Sequence, residues 1–172
     1  MGAPHMKSKI LAATALLALA ACNASSAPAA SHTYSAEIRR TAYGVPHIKA
    51  DNFSGIGFGF GYASAQDNLC EILDRMLTVR AERARYLGPG ENDANIASDL
   101  YHQRVNQAGD SEKLLAGPAS SVDTPSADAR AIASGYVAGL NKFIREKGAA
   151  ITDPRCKGQP WVKPIDEIDF WR

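Results

Sequence analysis

The spacing of apolar residues changes period at Asp51. Ahead of it the chain reads as two short extended pieces, around Tyr34–Arg40 and Val45–Lys49. Ala42-Tyr43-Gly44 joins them, and Gly44 can take the positive φ that a tight turn needs. Pro46 has no N–H to give to a ladder, so the second piece is an edge strand or ends a pairing. Beyond Asp51 the residues Leu69, Ile72, Leu73, Met76 and Leu77 recur three and four apart, the period of a helix. That helix is expected to run on to Leu87, where Gly88-Pro89-Gly90 stops it. Its charges, Arg75, Arg80, Arg83 and Arg85 against Glu71, Asp74 and Glu82, are spaced for pairing with i+3 or i+4 neighbours on an exposed or subunit-facing side. Short paired strands feeding a long, arginine-studded helix suggest an element buried against a sheet, not a free-standing domain.

Further along, Asp99–Gln107 reads as a weaker helix, and the polar, Pro-containing Gly109–Thr124 as a surface connection. Thr124-Pro125 opens the next helix, with Thr124 as cap and Pro125 at the first position. Its apolar face is Ile132, Tyr136, Leu140, Phe143 and Ile144, and it closes at Gly148. Gly135 and Gly139 stand one turn apart, where a second backbone can come close. Pro160-Trp161-Val162-Lys163-Pro164 reads as extended, and Asp166 caps a last helix with Asp169 three residues on. One and a half turns return too few bonds to offset nucleation, so Arg172 is expected to be a maturation cut or a trimmed edge and not the genetic end.

Lysine and arginine (19) nearly balance aspartate and glutamate (18), for a net charge of +1, and they are spread along the chain. No nucleic-acid partner is expected. The amino end is more telling. Met6-Lys7-Ser8-Lys9 precedes the apolar run from Ile10 to Ala21, then Cys22; a basic start and a short apolar stretch make an export signal, too short to span a bilayer as a stable helix. Met6 reads as the native start and Met1–His5 as a cloning remnant. Residues 1–30 are therefore set apart from the fold. Two processing routes are open: lipidation of Cys22, which follows Leu19-Ala20-Ala21, or release by cleavage at a small-residue site such as Ala27-Pro28-Ala29. Residues 31–172 are long enough for one domain, yet only two or three short strands are legible among them. A lone strand pair is not independently stable, so the rest of the sheet must come from elsewhere.

Chemical motifs are sparse. No G-x-S-x-G nucleophile elbow occurs. Gly55, Gly57, Gly59 and Gly61 alternate with large residues, but Tyr62 stands where the third glycine of a dinucleotide loop belongs; close packing of a helix start on the sheet is the preferred reading. His47 has the chemistry of a general base, but beside Pro46 and Ile48 in a strand it reads as a hydrogen-bonded structural histidine, and Asp67 and Asn68 as structural too. No zinc spacing is present; no metal or cofactor is expected, and no nucleophile–base pair is visible.

Three separated strings lie in order: Arg40-x-x-Tyr43-Gly44-Val45-Pro46-His47-Ile48, Tyr62-Ala63-x-Ala65-Gln66-Asp67-Asn68, and Ala81-Glu82-Arg83-Ala84-Arg85-Tyr86-Leu87-Gly88. Together they resemble the start of the penicillin acylase family of N-terminal nucleophile hydrolases, nearest the acyl-homoserine-lactone and aculeacin-type acylases. Cys70 and the run Cys156 to Val162 also fit that branch. The resemblance covers Tyr34 to Trp171 in the order of the family's small (α) subunit. It implies an α+β fold: a mainly helical α subunit, residues 31–172, lending a few strands to a four-layer αββα sandwich completed by a separate β chain cut from the same precursor. It implies a catalytic serine at the start of that β chain, with no catalytic residue in this one. The reaction implied is hydrolysis of hydrophobic N-acyl amides, foremost acyl-homoserine lactones (quorum quenching), with penicillins as further substrates.

The last helix would run on into residues lining the acyl pocket. The family's habit favours release into the periplasm over lipidation at Cys22, which alone would tie the protein to a membrane. In an oxidising compartment Cys70 and Cys156 are then expected to pair, the alternative being two unrelated buried thiols. A second functional class stays open: a cell-envelope lipoprotein with a binding or scaffolding role.

Overall fold

The computed structural model describes residues 1, 2 and 34–172; the leader and Cys22 lie outside them. The described residues form a mainly helical unit with one small sheet. In chain order these are β1 (Glu37–Arg40), β2 (Pro46–Lys49), α1 (Phe53–Val79), α2 (Arg83–Leu87), α3 (Ala94–Ala108), α4 (Asp110–Ala116), α5 (Ala127–Lys147) and α6 (Glu167–Trp171). Single 3₁₀ turns precede α3 and follow α5.

The hairpin pairs β1 antiparallel to β2, with Ile38 opposite Ile48 and Arg39 opposite His47. Gly44 takes φ +81° in the connecting turn, as a tight reversal requires. Alternation then divides the sheet: Ile48 faces α1, while Glu37, Arg39, His47 and Lys49 stand exposed on the other side.

Alternating glycines in α1 set the architecture. A Cβ built on Gly57 would lie 2.1 Å from the Ile132 carbonyl oxygen of α5, and one on Gly61 2.0 Å from that of Tyr136. The relation is reciprocal: Gly135 and Gly139 of α5 would meet the carbonyls of Ser54 and Phe58 at 2.0 Å. Two helices thus touch backbone to backbone, running parallel. On the opposite flank Gly55 and Gly59 admit Ser35, Ala36 and Ile48 of the hairpin region. The expected close packing on the sheet accounts for Gly55 and Gly59; Gly57 and Gly61 serve the helix crossing.

Past the glycines of α1, side chains take over the contact. Leu69, Leu73 and Leu77 meet Val137, Leu140 and Ile144, and the carboxyl-terminal arm adds Cys156, Trp161 and Ile165 to this core. The arm is tied in three ways. Cys70 and Cys156 form a disulfide, their Cα atoms 5.5 Å apart, inside the range such a bridge allows. The Asn141 amide donates to the Ile165 carbonyl and accepts from its N–H, each at 2.8 Å. Arg80 donates to Asp169 at 2.5 Å, with Asp169 buried. Asp169 also accepts from the N–H of Asp166, completing the capping box expected for α6.

Burial pushes the Asp169 carboxyl up, but the Arg80 hydrogen bond, the Asp166 N–H and the charges of Arg80 and Arg172 outweigh it, so the group titrates below its ordinary value. A carboxylate depressed in the folded state stabilises fully above its unfolded pKa of ~4 and loses that contribution as pH falls through the lowered value. Asp169→Asn leaves Arg80 without its counter-charge and is expected to cost about 3 kcal/mol at neutral pH. Urea midpoints of parent and variant should converge in acid.

Several expectations need correction. The first helix ends at Val79, because Ala81 adopts φ +57° and turns the chain into α2. Of the charges from Glu71 to Arg85, Arg75–Glu71 and Arg85–Glu82 pair at helical spacing, while Arg83 reaches back to Asp74 and Arg80 across to Asp169. The cap of α5 is Ser126, which accepts from the N–H of Ala129, while the Thr124 hydroxyl turns back to the Pro118 carbonyl. The surface connection contains α4, whose terminal carbonyls at Leu115 and Gly117 are bonded by the Arg130 guanidinium. Pro160–Pro164 is a series of turns rather than an extended run.

Candidate functional site

Arg40 brings two of the sequence strings together. It lies at the end of β1 and bonds the Gly44 carbonyl at 2.8 Å, Gln66 at 3.0 Å and Asp67 at 2.9 Å. One residue on, Asn68 leaves helical geometry (φ −140°, ψ 31°) and kinks α1. The hairpin turn is therefore clasped to the kink by a guanidinium, whose fixed fork of donors suits several oxygens at once. Beside the kink opens a cleft of ≈ 340 Å³, walled by Asn68, Phe143, Lys147, Ile151, Thr152 and Asp153. Arg155 hydrogen-bonds Asp153 and holds its carboxyl below the ordinary value.

The candidates named from sequence are spread out. His47 is exposed on the outward face of the hairpin, beside Glu37, Arg39 and Lys49. This corrects the reading of a hydrogen-bonded structural histidine: strand alternation sends Ile48 inward and His47 out. Asp67 is a structural ion-pair partner, as expected. Gly55 to Gly61 lie in the helix with a backbone or side chain against each, so no phosphate loop forms. Cys70 and Cys156 are joined in the core. Among the described residues no group of three or more His, Cys, Asp and Glu could hold a metal ion, and no helix is long and apolar enough to cross a membrane.

Sequence reasoning missed a polar hub between α1, α2 and α3. Asp99 is buried and accepts from the backbone N–H groups of Arg83 (2.9 Å) and Ala84 (2.8 Å), capping α2 from another helix. The Arg83 guanidinium bonds Asp74, Thr78 and Asn95. The bonds of Asp99 and Arg83 satisfy these groups, so the hub fixes the geometry of α1, α2 and α3. The only signal available was a polar stripe, Asn95, Asp99, His102 and Asn106, at helical spacing.

The comparisons now bear on this arrangement. The chain is 45% identical over 141 residues to aculeacin-A acylase of Actinoplanes utahensis, covering 81% of this chain and 18% of that protein. It is 40% identical over 144 residues to acyl-homoserine lactone acylase PvdQ of Pseudomonas syringae pv. tomato, covering 80% of this chain and 17% of that protein. It thus spans less than a fifth of the length of these curated relatives. Among solved structures it superposes on a thermostable penicillin G acylase from Alcaligenes faecalis with TM-score 0.59 and 30% identity, covering 80% of this chain and 70% of that one. Residues 35–166, which hold the hairpin, the clasped kink, the glycine crossing and the bridged arm, match penicillin amidase, and this chain belongs to that family.

Proposed function

We propose that residues 31–172 are the smaller subunit of an exported, two-chain N-acyl amide hydrolase whose nucleophile sits on the other chain. The observation that carries this is a pair of lengths. The solved penicillin G acylase chain is short: 80% of 172 residues, about 138, make up 70% of it, which gives about 200 residues. The curated acylases are long, since 141 residues are 18% of one of them, about 780 in all. A short chain in a structure beside long curated proteins supports a precursor cut into unequal parts. The hairpin supports it too, because two four-residue strands are marginal alone and are suited to extending the sheet of a four-layer αββα fold.

The chemistry follows from a serine that begins the larger chain. Its hydroxyl attacks the acyl carbonyl while its own α-amino group, with a pKa near ~8, takes the proton. That proton passes to the departing amine, leaving an acyl ester that water hydrolyses to the free acid. Backbone and side-chain donors on the larger chain hold the oxyanion. The present chain supplies scaffold and part of the acyl pocket. Acyl-homoserine lactones are the first substrates, giving a fatty acid and homoserine lactone, and penicillins the second, giving 6-aminopenicillanic acid. The product is released into the periplasm, with a mature amino end beyond Cys22.

The test is expression of the coding region with its downstream segment, amino-terminal sequencing of the products, and assay on both substrate classes. Replacing the first serine of the larger chain is expected to abolish processing and turnover. His47→Gln is expected to keep turnover within about tenfold, short of the 10²–10⁴ lost with a general base. A stop codon after this segment, or a processed His47→Gln enzyme slowed a thousandfold, would overturn the proposal.

A further inference from the structure

Helix α3 is turned inside out. A helix on a globular surface puts its apolar stripe toward the core and its polar side to water. In α3 the side facing the rest of the chain is Asn95, Asp99, His102 and Asn106. It is held by hydrogen bonds: Asp99 to the N–H groups of Arg83 and Ala84, Asn95 to the Gly88 carbonyl, and Asn106 to the Val79 carbonyl at 2.8 Å. The side facing away carries Ile96, Leu100, Tyr101 and Val105, exposed by 41, 62, 65 and 39%, with the exposed Arg104 between Leu100 and Tyr101. Leaving such a stripe in water forgoes the main driving force of folding, while the specific polar anchorage fixes which way it points.

The occupant can be argued from charge and length. Arg104 is the one charged residue that α3 leaves exposed, since its only other charge, Asp99, is buried. A helix that lies on a membrane flanks its apolar stripe with several lysines and arginines. A single arginine and a tyrosine among aliphatics, with no lysine or carboxylate, is instead the composition at the centre of a protein interface. More than four-fifths of the length of the matched acylases lies outside this chain, so a large body of protein is available to cover the stripe.

We infer that the outward face of α3 is a seat for the larger, carboxyl-side chain, which closes an apolar protein surface over Leu100 and Tyr101 and offers an oxygen acceptor to Arg104 between them. This rests on the two-chain reading above. The stripe then belongs to a core shared by both chains, and the polar hub beneath it holds α3 at the angle the partner meets.

The experiment uses the full-length, processed protein with p-benzoylphenylalanine at position 101, irradiated and mapped by peptide mass, beside Leu100→Glu and Leu100→Met. The expected crosslink joins this chain to the larger one. Leu100→Glu is expected to lower the recovered larger chain at least tenfold, and Leu100→Met to leave it within twofold. If Leu100→Glu prevents folding, the crosslink in the otherwise native protein decides. In a preparation that contains both chains and hydrolyses N-acyl amides, a crosslink only to a second copy of this chain overturns the inference. So does a crosslink only to lipid when phosphatidylglycerol vesicles are added to the same preparation, or none at all. An uncut parent protein without hydrolase activity overturns the two-chain reading itself, and the seat falls with it.

Discussion

Gly139→Ala is expected to be among the most damaging single substitutions in the chain, although it adds one methyl group to a helix. Alanine improves intrinsic helix propensity by up to ~1 kcal/mol, so local preference predicts a gain. The new Cβ would lie 2.0 Å from the Phe58 carbonyl oxygen and 2.9 Å from the Tyr62 nitrogen. Both are backbone atoms, and no rotamer change removes them. The helices must separate along the whole crossing, which also loosens Gly57, Gly61 and Gly135 from their partners. The expected cost is about 3 kcal/mol or more, a large part of the 5–15 kcal/mol that holds a typical domain. Gly148→Ala is the control: that glycine has φ −54° and its Cβ would sit 3.6 Å from Ile144. It is expected to be neutral or slightly stabilising. Thermal melts and soluble yields of the two purified variants test the contrast, and equal stability would mean that the close crossing does not limit the fold.

Removing the disulfide with Cys70→Ala and Cys156→Ala is the second large effect. The bridge closes a separation of 86 residues, worth about 4.5 kcal/mol if its action is to restrict the unfolded chain. Both cysteines are buried, Cys156 completely, so a thiol reductant should reach the bond only when the arm opens. The folded protein is expected to keep the bridge in dithiothreitol and to lose it once urea is added. The double variant should unfold at a markedly lower urea concentration, its carboxyl-terminal arm exchanging amide hydrogens first. A variant with unchanged midpoint would assign the hold on the arm to its packing and to its polar bonds, those of Asn141 and Arg80 among them.

The parts of this fold that were legible in sequence are those where local signals and tertiary context agree. Gly44 turned the hairpin, Leu69 to Leu77 marked a helix by period, Gly135 and Gly139 announced a close approach, and Asp166 with Asp169 announced a cap. Illegible features depended on partners far along the chain. Nothing near Ala81 forbids a continuous helix to Leu87; the break follows because Asp99, from another helix, caps the N–H groups of Arg83 and Ala84. Asp110–Ala116 looked like a connection because the guanidinium that finishes that helix belongs to Arg130. The same limit applies to the candidate site. Strand alternation alone could have told that His47 and Ile48 face opposite ways, but which of them meets α1 is decided by Gly59. The order of the three strings was legible as a family signature, whereas the clasp by Arg40 that joins two of them was not.

The parallel crossing of α1 and α5 also governs how the chain reaches this state. Gly57 meets Ile132 and Gly61 meets Tyr136, partners 75 positions apart in sequence. In the exported chain proposed above, the first helix has no partner until that counterpart has followed it out of the membrane. Through that interval four glycines between Gly55 and Gly61, each costing ~1 kcal/mol of helix propensity, keep the amino-terminal half of α1 from persisting alone. Helix and contact therefore form together in one non-local, rate-limiting event, which makes folding slow for so helical a chain. Substitutions at the crossing should then retard folding more than they hasten unfolding, and a holdase that shields the waiting segment should raise the yield of native protein.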